Sequence, residues 1–344
     1  MLKRLAAVSL LLALSATASA TPARIDGLSR NGGFTDDSDF FLFPSVLGDE
    51  GQNVWLHYDG AAQGGISWEN DVTRALYFNH VPAGGSTASG APAAWVATFT
   101  QASDGAGFSG HIGWDAATLE LGGAYGKGEG GDEPTNWALS GNLLLQGRVL
   151  DDSTTKDTEK AAAGIDLTFR HRKLTDQSAQ LISVDVDYRE KDRTTLTGAF
   201  QIGPRFNADG VDAALLFGPV LGITSLDAEA GKDLYGKDVP TILAVDVPVA
   251  NVAAEYAVRE WMYLRGAATA GWHVDTLVGL KDTKATDFPM VWSSRVGGSM
   301  GAGFKQEHAS FDLAVNPGWA IGGPYFLSGA ANPMLASISA RIDL

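Results

Sequence analysis

The sequence predicts an all-β chain whose strands close into a membrane-spanning, antiparallel, up-and-down β-barrel. Three observations carry that expectation: a strict two-residue alternation, strands too long for a soluble sheet, and connections that alternate between long and tight. The alternation is clearest from 163 to 202. Ala163, Ile165, Leu167 and Phe169 make one face, against Gly164, Asp166, Thr168, Arg170 and Arg172. Ile182, Val184, Val186 and Tyr188 follow, against Ser183, Asp185, Asp187 and Arg189. Leu196, Gly198, Phe200 and Ile202 form a third run, against Thr195, Thr197, Ala199 and Gln201. A period of two belongs to extended strands, whose successive side chains point to opposite faces. In lipid, a barrel turns the apolar face outward and the charged face into its lumen.

Residues 1–20 read as a secretory signal peptide: Lys3 and Arg4, the apolar run Leu5 to Leu14, and the small-residue site Ala18-Ser19-Ala20. That run is well short of the ~20 residues a spanning helix needs. The mature chain is expected to begin at Thr21. Residues 21–51 do not alternate, and acidic residues ahead of Phe40-Phe41-Leu42-Phe43-Pro44 suit a short capped helical turn. This lead-in either folds into the barrel mouth as a plug or stands as an ordered segment before it. Asp36, Asp37, Asp39, Phe40, Phe43 and Pro44 are its candidate contacts.

The barrel is expected over 52–344. Strand candidates fall at 53–59, 64–69, 72–80, 93–102, 107–115, 117–125, 135–149, 159–173, 178–191, 195–205, 211–225, 240–258, 261–274, 290–305, 308–316 and 334–344. Several far exceed the roughly 5–6 residues of a soluble strand. Read back from the C-terminus, the links at 317–333, 275–289 and 226–239 are long, and those at 306–307, 259–260 and 206–210 are tight. Long external loops and short periplasmic turns produce this alternation and place both chain ends on one side. It weakens upstream, where 192–194 is short on the expected outer side. The expectation is 14 strands beginning near 72, with 53–69 as an extra hairpin or part of the plug; 16 strands is the alternative. Trp95, Trp114, Tyr125, Trp137, Tyr188, Trp261, Tyr263, Trp272 and Trp292 lie near strand ends, as interfacial girdles require.

Composition narrows the function classes. The chain has no Cys, so an exported protein of this size holds itself together without disulfides. Its formal charge of −15 argues against a nucleic-acid partner. No segment of the mature chain is continuously apolar enough for a spanning helix.

The motifs add little chemistry. Gly231-Lys232-Asp233-Leu234-Tyr235-Gly236-Lys237-Asp238 nearly spells a P-loop, but Asp238 stands where Ser or Thr would hold magnesium. It reads as a polar external loop. Gly126 to Glu133 is Gly-rich and acidic without the strand–helix context of a dinucleotide site, and reads as a flexible turn. Asp36, Asp37 and Asp39, like Asp151, Asp152 and Asp157, fit no EF-hand loop and read as solvated charge. His57, His80, His111, His171, His273 and His308 show no metal-ligand spacing. Neither a metal nor any other cofactor is expected, and with no nucleophile elbow in suitable context the chain is not expected to be an enzyme.

The polar strand face is the informative constellation. Strand parity places Arg148, Arg170, Arg172, Arg189, Arg205, Arg259 and Arg341 on it with Asp166, Asp185, Asp187, Glu255 and Asp343. Each Arg at a bilayer midplane would cost about 2–4 kcal/mol, so this face lines the lumen. Two roles follow for Arg148, Asp166, Arg170, Arg172, Asp185, Asp187, Arg189, Arg205, Glu255 and Arg259. They form a ladder of cross-strand ion pairs, or a constriction whose charge selects solutes. The surplus of Arg in this set leans the lumen toward anions.

The chain stops on a strand, with Ala336, Ile338, Ala340, Ile342 and Leu344 on one face and Ser337, Ser339, Arg341 and Asp343 on the other. It resembles the C-terminal signal strand of Gram-negative outer-membrane β-barrel proteins, porins among them, although Leu344 stands where those usually end on an aromatic residue. The lead-in, with Arg30-Asn31-Gly32-Gly33 and Phe43-Pro44-Ser45, resembles the start of long-chain fatty-acid transporter-like barrels, which commonly carry Asn-Pro-Ala there. The resemblance implies an outer-membrane location, a porin-like channel or passive transporter for small solutes, and contact with the outer-membrane insertion machinery through the last strand. Expected partners are therefore outer-membrane lipid, small solutes and that machinery. A facilitated transporter of hydrophobic compounds, a structural or enzymatic outer-membrane barrel, and a secreted soluble all-β binding protein are the other readings.

Overall fold

The computed structural model describes residues 34, 39, 42–49, 51–58, 62–79, 95–114, 118–129, 134–146, 162–190, 193–208, 210–226, 241–278, 290–315 and 335–344. The expected signal peptide lies outside them. Sixteen strands run in chain order: β1 Asn53–Tyr58, β2 Ala62–Glu69, β3 Thr73–Phe78, β4 Trp95–Ser103, β5 Ala106–Trp114, β6 Thr118–Glu129, β7 Thr135–Gln146 and β8 Ala162–Leu174. They continue with β9 Ser178–Arg189, β10 Arg193–Ala208, β11 Val211–Leu226, β12 Thr241–Arg259, β13 Met262–Val278, β14 Met290–Gln306, β15 Ala309–Val315 and β16 Leu335–Asp343. Each strand pairs antiparallel with its chain neighbours, and β1 closes on β16 from Asn53↔Asp343 to Tyr58↔Ile338, so the sheet is a closed barrel without an edge.

The count corrects the expectation of 14. Residues 53–69 are neither plug nor accessory hairpin; β1 and β2 are staves of the wall, and β1 is the strand that meets β16. The alternation of β2 is faint because Gly64 and Gly65 occupy its middle, and β1 alternates over only six residues.

All links at the end holding Asn53 and Asp343 are short: 70–72, 104–105, 130–134, 175–177, 209–210, 260–261 and 307–308. The tightest show why. Asp104 and Gly105 have φ of 52° and 71°, the paired positive values that a two-residue turn needs to match strand twist. The other end carries five long links, 79–94, 147–161, 227–240, 279–289 and 316–334, and three short ones, 59–61, 115–117 and 190–192. By this pattern the short-turn end is periplasmic in an outer-membrane barrel.

Burial is inverted relative to a soluble sandwich. Leu56 is 63% exposed and Phe217 49%, whereas Thr98, Glu120 and Asp312 are at most 2% exposed. Large apolar side chains therefore cover the outside, and polar ones face inward. The wall is uneven in height: β1 and β3 have 6 residues, β12 has 19. In the tall wall the ladder is interrupted beside proline, which has no N–H to donate. The register between β11 and β12 shifts between Gly218 and Val220, around Pro219, and that between β12 and β13 between Asp246 and Ala250, around Pro248.

Candidate functional site

The site is the lumen together with the lead-in that crosses it. Pro44–Asp49 forms a 3-10 helix, entered by a turn in which the amides of Leu42 and Phe43 donate to the Asp39 carbonyl at 2.8 and 2.7 Å. Leu47 packs inside the barrel against Trp55, Ala75, Tyr77 and Ala102, on β1, β3 and β4. Phe34 packs against Ala214, Ala253 and Ala267, on β11, β12 and β13 across the ring. Between these anchors stands Arg172 of β8. Its guanidinium donates to Asp39 Oδ2 at 2.5 Å and to the Phe34 carbonyl at 3.3 Å, and lies 4.9 Å from the Phe43 ring centroid. The lead-in is thus pinned at three points around the short-turn half of the lumen.

The wall makes room for it. A Cβ at Gly107 would strike the Pro44 backbone, and one at Gly126 or Gly128 would press on Pro44 Cδ at 3.2 Å or Ser45 Oγ at 3.1 Å. Gly126 to Glu129 is therefore the end of β6 rather than the flexible turn read from sequence, and its glycines provide the seat of the helix.

Elsewhere on the inner wall, inward guanidiniums are paired. Arg189 lies 2.9 Å from Asp166 and 3.2 Å from Asp187, two carboxylates that face each other in the β8–β9 register and would repel without it. Arg170 sits 3.7 Å from Asp185. Arg205 sits 3.9 Å from Asp212 and donates to the Thr175 carbonyl at 3.1 Å. Arg341 Nε donates to Asp343 at 2.7 Å. The structure brings these predicted residues to one surface. Arg259 ends β12 beyond a register shift and is exposed at the short-turn rim, because that shift breaks the parity count. Arg148, Asp36, Asp37 and Phe40 lie outside the described residues.

The parity reading missed several lumen groups. Arg265 bridges Glu255 and Asp312 in a buried triad, and Gly303 between them leaves the space a Cβ would take from both Arg265 and Asp312. Glu120 accepts from Asn142 at 2.6 Å and lies 3.3 Å from His111. His273 contacts Asp246 at 2.7 Å and Asp275 at 2.9 Å. Glu120 could have been read from its position between Leu119 and Leu121, both of which point outward. Arg265 gave little signal, because small residues on both faces (Gly266, Ala267, Ala268) dilute the alternation. With Glu120, Asp212, Asp246, Asp275 and Asp312 added, the inward carboxylates named here number ten against six Arg, so the lean toward anions expected from the sequence is reversed. Among the described residues, no group of His, Asp and Glu could hold a metal ion.

A closed ring of sixteen antiparallel strands, apolar outside, charged inside and with both ends at the short-turn mouth, fits one environment. The architecture is that of an outer-membrane β-barrel. No family model matches the chain, and no curated protein matches it. Among solved structures it is similar to BamA from Haemophilus ducreyi lacking POTRA domains 1–3, at 10% identity and a TM-score of 0.36, over 85% of this chain and 69% of that one. It is also similar to the siderophore receptor PiuA from Acinetobacter baumannii, at 10% identity and a TM-score of 0.25, over 86% of this chain. The chain spans 55% of that receptor. The class of this barrel rests on its own topology and surface rather than on these distant likenesses.

Proposed function

We propose that the barrel is a passive channel for small polar solutes, with the lead-in seated in its short-turn mouth as a plug. The observation that carries this reading is the anchoring of Phe34, Asp39 and Leu47 to separate parts of the inner wall. The wall around them supports it. A path for hydrophobic compounds needs an apolar lining, and the inner rows here hold Thr98, Thr100, Ser109, His111, Ser140, Asn142, Asp166 and Thr168. Because carboxylates outnumber guanidiniums on the described inner wall, neutral and cationic solutes are expected to pass more readily than anions.

Liposome swelling tests the reading. Vesicles containing the folded protein should admit a small sugar faster than protein-free vesicles. Asp39→Ala, which removes the partner of Arg172, should raise the rate further, severalfold. Swelling no faster than in protein-free vesicles for both proteins would rule out a channel.

A further inference from the structure

The outer face of β6–β8 changes character abruptly near the short-turn end. One row is apolar: Phe108, Tyr125, Leu139 and Phe169 are register neighbours across β5–β8. The next row toward the rim holds Lys127, Trp137 and His171, again register neighbours. Lys173 stands one row lower, opposite Thr135. These side chains point away from the lumen, since the alternate residues Gly126, Gly128 and Arg172 meet the lead-in. Lys127 and Lys173 are exposed, and Trp137 is half-buried in edge-to-face contact with Tyr125 at 5.6 Å between centroids. The Nδ1 atom of His171 is buried without a hydrogen-bond partner.

We propose that Lys127 and Lys173 bind the phosphate of an anionic phospholipid headgroup in the leaflet at the short-turn end. The height is right, because Trp137 marks the water–lipid interface and the row above it offers acyl chains a continuous apolar surface. The spacing is right as well. The two lysines stand two strands and one row apart, about 12 Å between Cα atoms, and their flexible stems reach a common anion between them. A zwitterionic headgroup carries a cation of its own, which these lysines repel, so a net anionic lipid is preferred.

Native mass spectrometry of the full folded chain in detergent tests this with phosphatidylglycerol, phosphatidylcholine and inorganic phosphate as separate probes. The expected result is retention of phosphatidylglycerol at concentrations where the other two do not remain bound. Retention should fall at least tenfold in Lys127→Gln/Lys173→Gln, and stay unchanged in Lys232→Gln/Lys237→Gln, which loses the same charge in the 227–240 link. Equal retention of phosphatidylglycerol and phosphatidylcholine would overturn the proposal. So would undiminished retention in the first variant, or equal retention of inorganic phosphate, which would mark a free-anion site instead. Heat-modifiable gel migration confirms folding. If the first variant does not fold, the wild-type comparison of the three probes decides alone.

Discussion

Arg172 and Arg265 are both buried guanidiniums, yet they do different work. Arg265 is confined to the wall, where Glu255 and Asp312 hold it across three strands separated in sequence. Arg172 faces a segment outside the wall and ties Asp39, Phe34 and Phe43 to β8. Removing one partner of a buried pair leaves a desolvated charge behind and costs about 3–5 kcal/mol. Arg265→Leu strands two carboxylates, so it should lower the urea midpoint for loss of the folded, heat-modifiable band by that order. A triple variant that also replaces Glu255 and Asp312 with apolar residues should recover much of the loss. An unchanged midpoint in Arg265→Leu would mean that the triad is dispensable. Arg172, by contrast, is expected to matter more for passage than for wall stability, because the strands around it pair without the lead-in.

At the scale of elements, the seat of the 3-10 helix makes a sharp prediction. Gly107→Val places a side chain where the Pro44 backbone runs, while the β4–β5 and β5–β6 ladders remain intact. The expected outcome is a folded barrel with an unseated lead-in, read as faster solute entry than wild type and protease cleavage before residue 50. Wild-type entry and resistance would show that the lead-in does not need this seat. The elements themselves were legible wherever bulky apolar residues alternate with charge, as in β8, β9 and β10. Legibility fails where glycine flattens the contrast, as in β2 and at Gly126–Glu129, and where a strand is as short as the six residues of β1. The pairing of charges was not legible. It depends on register set by turns and bulges, and the Asp39–Arg172 contact joins residues 133 positions apart. Arg259 shows the limit of parity, since one register shift at the end of β12 moves it off the lumen face.

For the whole molecule, the two halves of the architecture pull in different directions. A ring of sixteen strands is of the size that leaves an aqueous channel, since the filled type has about eight. In the proposed reading, the lead-in, anchored to β1, β3 and β4 on one side and to β11–β13 on the other, obstructs that channel. The guanidiniums of the inner wall are paired, but Glu120, Asp246 and Asp275 add carboxylate beyond them, so removal of the obstruction should leave a pore that favours cations. Planar-bilayer conductance of the mature chain, with and without residues 21–50, tests this most directly. The expected result is small steps from the full chain and large, stable, cation-favouring steps after truncation. Equal conductance from the two, or silence from a truncated barrel shown to be folded in the bilayer, would contradict it.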